Sequence, residues 1–147
     1  FMQKLNMTVS FSDIIGFSTF SNQLSAEELA MIMSQFYNIT TRCVQNQGGW
    51  VIELLGDALF VAYGLESRYP MQRNQLRNHS YSAAKANLQM NKELYSRHEK
   101  WASHGLPKIE MRHGISTGEA WCGCIGDSWR MQFSVLYNFN SLPANIH

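Results

Sequence analysis

The chain has 147 residues, enough for one domain with a sizeable core. With 45% apolar residues and 12 basic against 11 acidic side chains, it reads as a soluble globular protein of net charge +1. That balance leaves no electrostatic footprint for nucleic acid or an anionic membrane, and no apolar run approaches the about 20 residues that span a bilayer.

Other whole-chain features point the same way. The N-terminus lacks a secretory layout. Cys43, Cys122 and Cys124 form no disulfide framework, as expected of reduced thiols in a cytoplasmic setting. Cys122-Gly123-Cys124 lacks the companion His or Cys pair of a zinc site. The expectation is a single domain over 1–147, a fragment of a longer chain that touches a membrane only through other parts of its parent.

Taken in order, Met7, Val9 and Phe11 alternate with Thr8, Ser10 and Ser12, the period-2 pattern of a half-buried strand. Asp13 stands at its exit, and Gly16 lets the chain turn into a short helix over Phe17–Gln23. Ser25-Ala26-Glu27-Glu28 is a capping box that opens a long helix reaching about Gln47, with Leu29, Ile32, Met33, Phe36 and Tyr37 on its core face. Gly48-Gly49 ends it. Two apolar runs, Trp50–Leu55 and Ala58–Tyr63, flank Gly56-Asp57, the signature of a tight hairpin. Glu53 lies four residues before Asp57 and is placed on the strand face of Val51 and Leu55.

Residues 65–78 form a polar connection carrying Arg68, Arg73 and Arg77. A second long helix runs from about His79 to Trp101, with Ala83, Ala84, Leu88, Met90 and Leu94 among its apolar positions, and Gly105-Leu106-Pro107 breaks it. Ile109, Met111, His113 and Ile115 alternate as a strand, which makes His113 a packed core histidine. Thr117-Gly118 is expected to turn, and Ala120–Ile125 with Met131–Leu136 supply further strands.

An aspartate after a strand is ordinarily a turn former or a helix cap, and Gly-Asp is ordinary hairpin chemistry. If the first strand and the hairpin share a sheet, however, Asp13 and Asp57 project from one edge. Two hard oxygen donors beside a turn rich in backbone amides suit Mg²⁺ or Mn²⁺ carrying a polyphosphate.

The text around these aspartates resembles the catalytic domain of class III nucleotidyl cyclases, the adenylate and guanylate cyclase homology domain. The matching segments are Phe11-Ser12-Asp13-Ile14-Ile15-Gly16-Phe17-Ser18, Gln23–Leu29, Gly48-Gly49 and Leu55-Gly56-Asp57-Ala58. They continue with His113–Glu119, Gly123-Cys124-Ile125-Gly126-Asp127 and Arg130-Met131, in the family's order from about residue 7 to residue 136.

The resemblance implies an α+β fold, a ferredoxin-like, palm-type sandwich with helices on one face of a mainly antiparallel sheet. It implies that Asp13, Asp57 and the carbonyl of Ile14 hold two Mg²⁺ or Mn²⁺ ions, and that the amides of Ile14, Ile15, Gly16 and Phe17 bind phosphate. It places Glu53 and Ser134 facing the purine base, where lysine at position 53 is typical of adenylate cyclases and glutamate of guanylate cyclases. A carboxylate accepts from guanine N1 and N2, a donor pair that adenine lacks.

The resemblance breaks after the last strand. The family's transition-state asparagine and arginine fall on Ser141 and Asn145, or on Asn140 and Ala144 after a one-residue slip, so the arginine is absent. Losing such a preorganised cation costs about 3 kcal/mol of barrier. Intact metal aspartates with a lost Asn/Arg pair resemble the metal-supplying half of a heterodimeric cyclase, whose partner domain completes the site. A homodimer is the alternative.

The implied activity is conversion of a purine nucleoside triphosphate, ATP favoured over GTP, to a 3′,5′-cyclic nucleotide. The other readings are a guanylate cyclase and a regulatory pseudo-cyclase that binds nucleotide without turnover. A nucleic-acid enzyme of similar fold is disfavoured by the missing basic stripe.

Overall fold

The structure, a computed structural model, describes residues 2–65, 78–126 and 131–137, with the backbone alone for 131–134 and 137. Its elements are β1 (Met2–Ile14), α1 (Phe17–Gln23), α2 (Ala26–Asn46), β2 (Trp50–Leu55), β3 (Ala58–Tyr63), α3 (His79–Ser103), β4 (Met111–Gly126) and β5 (Met131–Tyr137). The strands form one sheet in the order β2-β3-β1-β4-β5, with every neighbouring pair antiparallel. This is the expected α+β architecture.

Local chemistry explains the helix boundaries. Ser25 Oγ accepts from the Glu28 N–H at 3.1 Å while the Ser25 N–H donates to Glu28 Oε2 at 3.0 Å, so the capping box is complete. Asn78 caps α3 by accepting from the Tyr81 N–H. At Gly49 an added Cβ would sit 2.6 Å from Tyr63 Cε1 and 2.8 Å from Val44 Cγ1. Only glycine allows β2 to leave α2 this close to β3.

The main core lies between sheet and helices. Ile32, Phe36, Ile39 and Val44 of α2 and Ala83, Ala86, Met90 and Leu94 of α3 pack against Leu59, Val61 and Tyr63 of β3. Trp101 of α3 is buried and donates through Nε1 to Gln35 of α2 at 2.9 Å. Leu88, expected among the apolar core positions of α3, points outward and is 69% exposed, because the buried face runs through Ala83, Ala86, Met90 and Leu94.

The other sheet face is also buried. Met7 and Val9 of β1 join Ala62, Ala120, Cys122 and Val135 in a second cluster, and the edge strands β2 and β5 approach each other as the sheet curls.

Three expectations are therefore revised. First, the stretch from Met7 to Ser12 is not half-buried, since Thr8, Ser10 and Ser12 are also buried, against α3 and β4. Second, Thr117-Gly118 makes no turn. Thr117 pairs with Thr8 and Gly118 with Met7 inside one continuous β4, because β1 supplies a partner along the whole length. Third, a β-bulge in β2 places Val51 opposite Val61 but Glu53 opposite Phe60. Val61 and Phe60 point to opposite faces, so Glu53 does not share Val51's face.

Candidate functional site

Asp13 and Asp57 meet at one end of the sheet. β1 and β3 run side by side in the register Ser12↔Leu59, which brings the β2–β3 turn beside the exit of β1. Asp57 Oδ2 accepts from the Ile14 N–H at 3.1 Å, fixing the second carboxylate to the residue after the first. Gly56 takes φ +60°, and a Cβ there would meet nothing within 4 Å. The glycine is thus required by backbone conformation rather than by space.

Two groups found here were not legible as site residues. Arg112 of β4 stands directly opposite Asp13 and grips it in a fork, with Nε to Oδ1 at 2.9 Å and Nη2 to Oδ2 at 3.0 Å. Asp13 first, and Asp57 more weakly, favour its charged form. Tyr37 of α2 donates its hydroxyl to the Gly56 carbonyl at 2.5 Å, tying the turn that carries Asp57 to the helical layer. The sequence places Tyr37 only on a core face. Arg112 carries no signal in spacing, because the carboxylate it grips lies 99 residues away.

A cavity of about 250 Å³ opens beside these groups, lined by Phe11, Asp13, Glu53, Leu55, Phe60 and Arg112. Phe11 and Phe60 stack with centroids 4.5 Å apart and planes within 6°, forming an aromatic wall. Glu53 is exposed at the cavity and on the same side as Asp13, where the bulge aims it.

The four amides expected at phosphate are not equivalent. The Ile14 N–H is committed to Asp57 and the Ile15 N–H donates to the Glu110 carbonyl at 2.8 Å. Those two are already paired within the protein. Gly16 takes φ +68° at the start of α1, and no side chain caps the helix.

The remaining expectations fall elsewhere. Ser134 stands opposite Gly123 on β5, with only its backbone described. Ser141, Asn145, Asn140, Ala144, Asp127, Arg130 and the arginines at 68, 73 and 77 lie outside the described residues. Cys122 is buried and Cys124 exposed. Among the described residues no group of three or more His, Cys, Asp or Glu side chains converges, and no helix is long and apolar enough to cross a membrane.

Comparison with known proteins gives one family. The family model for the adenylate and guanylate cyclase catalytic domain matches residues 2–139. Adenylate cyclase 1 of Rhizobium meliloti (strain 1021) is 27% identical over 130 residues, 88% of this chain and 18% of that protein. The guanylate cyclase soluble subunit alpha-1 of Bos taurus is 30% identical over 121 residues, 82% of this chain and 16% of that protein. The chain thus spans less than a fifth of these curated relatives.

Among solved structures, the adenylyl cyclase CyaB from P. aeruginosa superposes with TM-score 0.81 and 27% identity over 93% of this chain and 68% of that one. The guanylyl cyclase Cya2 does so with TM-score 0.79 and 25% identity over 92% and 65%. On fold, family match and relatives together, the chain belongs to the class III adenylate and guanylate cyclase catalytic domain family.

Proposed function

We propose that this domain is the metal-supplying half of a heterodimeric nucleotidyl cyclase. It would turn a purine nucleoside triphosphate, ATP in the favoured reading, into a 3′,5′-cyclic nucleotide and pyrophosphate. The observation that carries the reading is the convergence of Asp13 and Asp57 on Ile14, locked by the Asp57–Ile14 hydrogen bond.

The donor set fits Mg²⁺ or Mn²⁺. Two hard carboxylates lie together, the Ile14 carbonyl adjoins them, and a guanidinium already satisfies Asp13 where a cation is wanted. Two bound ions would supply activation of the ribose 3′-hydroxyl and neutralisation of the departing pyrophosphate.

The chain's own residues do the rest. Asp13 and Asp57 would hold the cations, with Tyr37 steadying the turn beneath Asp57. Arg112, now paired with Asp13, would offer its forked donors to the phosphates of a bound triphosphate once a cation held that carboxylate. The amides of Gly16 and Phe17 add neutral donors to the same oxygens. The cavity walls exclude water from one side of the substrate.

ATP is favoured because the tail after β5 resembles the first half of paired adenylate cyclases, with Ser141 and Asn145 at the Asn/Arg positions. The partner domain then supplies the base-reading residues. A guanylate cyclase is the second reading, carried by Glu53 at the cavity with acceptor chemistry suited to guanine. The missing arginine supports a third, a pseudo-cyclase.

The test is cyclic nucleotide formation with Mn²⁺ and ATP or GTP, by the isolated domain and by the full-length protein with its partner. Activity only with the partner, lost in Asp13→Ala, is the expected result. Robust activity of the isolated domain would overturn the heterodimer. Nucleotide binding without product in both would establish the pseudo-cyclase.

A further inference from the structure

The helix-facing side of β1 carries a hydroxyl at every second position, Thr8, Ser10 and Ser12, all buried. Each has a partner. Thr8 Oγ1 lies 2.7 Å from Thr117 Oγ1 on β4, and Asn87 Nδ2 of α3 donates to Ser10 Oγ at 3.0 Å. Ser12 Oγ lies 2.7 Å from His113 Nδ1, and His113 Nε2 lies 2.8 Å from Asn91 Oδ1 of α3.

Valence orders the protons in the last of these. An amide oxygen only accepts, so His113 donates from Nε2 to Asn91. The neutral ring then accepts at Nδ1 from the Ser12 hydroxyl. Burial, opposed more weakly by the charge of Asp13, lowers the His113 pKa to about 4, in keeping with a neutral ring.

The spacing is a fit between two periodicities. Asn87 and Asn91 are one helical step of four apart, about 6.0 Å along α3, while Ser10 and Ser12 are two strand residues apart, about 6.8 Å along β1. One docking position of α3 satisfies both pairs. Sliding the helix by a turn would take Asn87 from the buried Ser10 hydroxyl and Asn91 from His113 Nε2.

This seam ends directly beneath the site. Ser12 and His113 oppose each other, and on the adjoining rung Asp13 opposes Arg112. Strand alternation puts the first pair under the sheet and the second on top of it.

We propose that His113 is a positioning residue. Held by Asn91 and holding Ser12, it fixes the rung that carries Asp13 and Arg112, and so sets the Asp13 carboxylate for the metal–triphosphate substrate. The inference rests on the cyclase reading above. Packing alone would not need Asn91, which is exposed and can be changed without opening a cavity.

The experiment uses the full-length protein with its partner domain and compares Asn91→Leu with Asn91→Asp, which keeps an acceptor for Nε2. Mn²⁺ dependence is read twice, by product formation and by electron paramagnetic resonance of Mn²⁺ bound with a non-cyclising triphosphate analogue. Asn91→Leu is expected to raise half-saturating Mn²⁺ by about three- to tenfold in both, below the loss from removing a direct metal-supporting partner. kcat at saturating Mn²⁺ and the melting temperature should hold. Asn91→Asp should restore wild-type dependence, and imidazole ¹⁵N shifts should show the Nε2–H form in wild type.

Unchanged Mn²⁺ binding in Asn91→Leu, or equal loss in both variants, would overturn the proposal. Absence of product in wild type would sink the cyclase reading alone, because the binding arm still decides the role of His113.

Discussion

Removing the Tyr37 hydroxyl tests whether the helical layer controls the metal end of the sheet. In Tyr37→Phe the ring keeps its packing against Phe36, with centroids 5.6 Å apart, so no cavity forms. The change deletes one hydrogen bond, to the Gly56 carbonyl at 2.5 Å. A single hydrogen bond of this kind contributes about 1 kcal/mol net, and that carbonyl can turn to water when the partner is lost. The Gly56-Asp57 turn would then open about fivefold more often, the factor that about 1 kcal/mol implies. Asp57 keeps its bond to the Ile14 N–H, so the site is loosened rather than lost.

Half-saturating Mn²⁺ should therefore rise by up to about fivefold in the full-length complex, and urea unfolding should report a loss of at most about 1 kcal/mol. A stability loss of that size with wild-type Mn²⁺ dependence would refute the reasoning. It would mean that Tyr37 anchors the hairpin without positioning Asp57.

Asp57→Asn keeps an acceptor for the Ile14 N–H, so it should fold normally while losing about a hundredfold or more in activity. A modest loss would remove Asp57 from the metal set. Arg112→Gln should tighten Mn²⁺ binding without nucleotide, since the competing guanidinium is gone, and weaken triphosphate binding; calorimetry of both ligands checks the opposite signs.

Gly49→Ala should destabilise by about 1–3 kcal/mol through the clash with Tyr63 and Val44, seen as a lowered urea midpoint. For pH, the unfolded chain binds a proton on His113 below its ordinary pKa of 6.5, whereas the folded chain binds one only near 4. Stability from this group is thus whole above 6.5 and falls as pH drops toward 4, with a slope approaching about 1.4 kcal/mol per unit. His113→Leu should lack that share of the slope in urea titrations between pH 4 and 6.5.

What the sequence reveals of this domain is what short range determines. The capping box at Ser25 and Glu28, the hairpin at Gly56-Asp57 and the turn at Gly16 are written in adjacent residues, and the structure has each of them. The partners of Asp13 and Asp57 are not local. Arg112 reaches Asp13 across 99 residues of chain and Tyr37 reaches Gly56 across 19, so neither pairing leaves a trace in spacing.

Thr117-Gly118 reads as a turn because glycine usually breaks a strand, yet an unbroken partner in β1 carries β4 through it. Thr8, Ser10 and Ser12 read as a wet face because hydroxyls usually are. Asn87, Thr117 and His113 satisfy them instead, on elements whose docking no local pattern encodes.

The bulge in β2 also bears on insertions and deletions near the cavity. Deleting Ile52 would leave Val51 opposite Val61 and Glu53 opposite Phe60, now as consecutive rungs of a regular ladder. The hairpin would untwist somewhat, and the carboxylate would still look toward the cavity. Deleting Leu54 or Leu55 would instead draw Glu53 one place toward the turn and rotate it to the opposite side. Length variation is therefore tolerable at one point of this strand and chemically decisive two residues later.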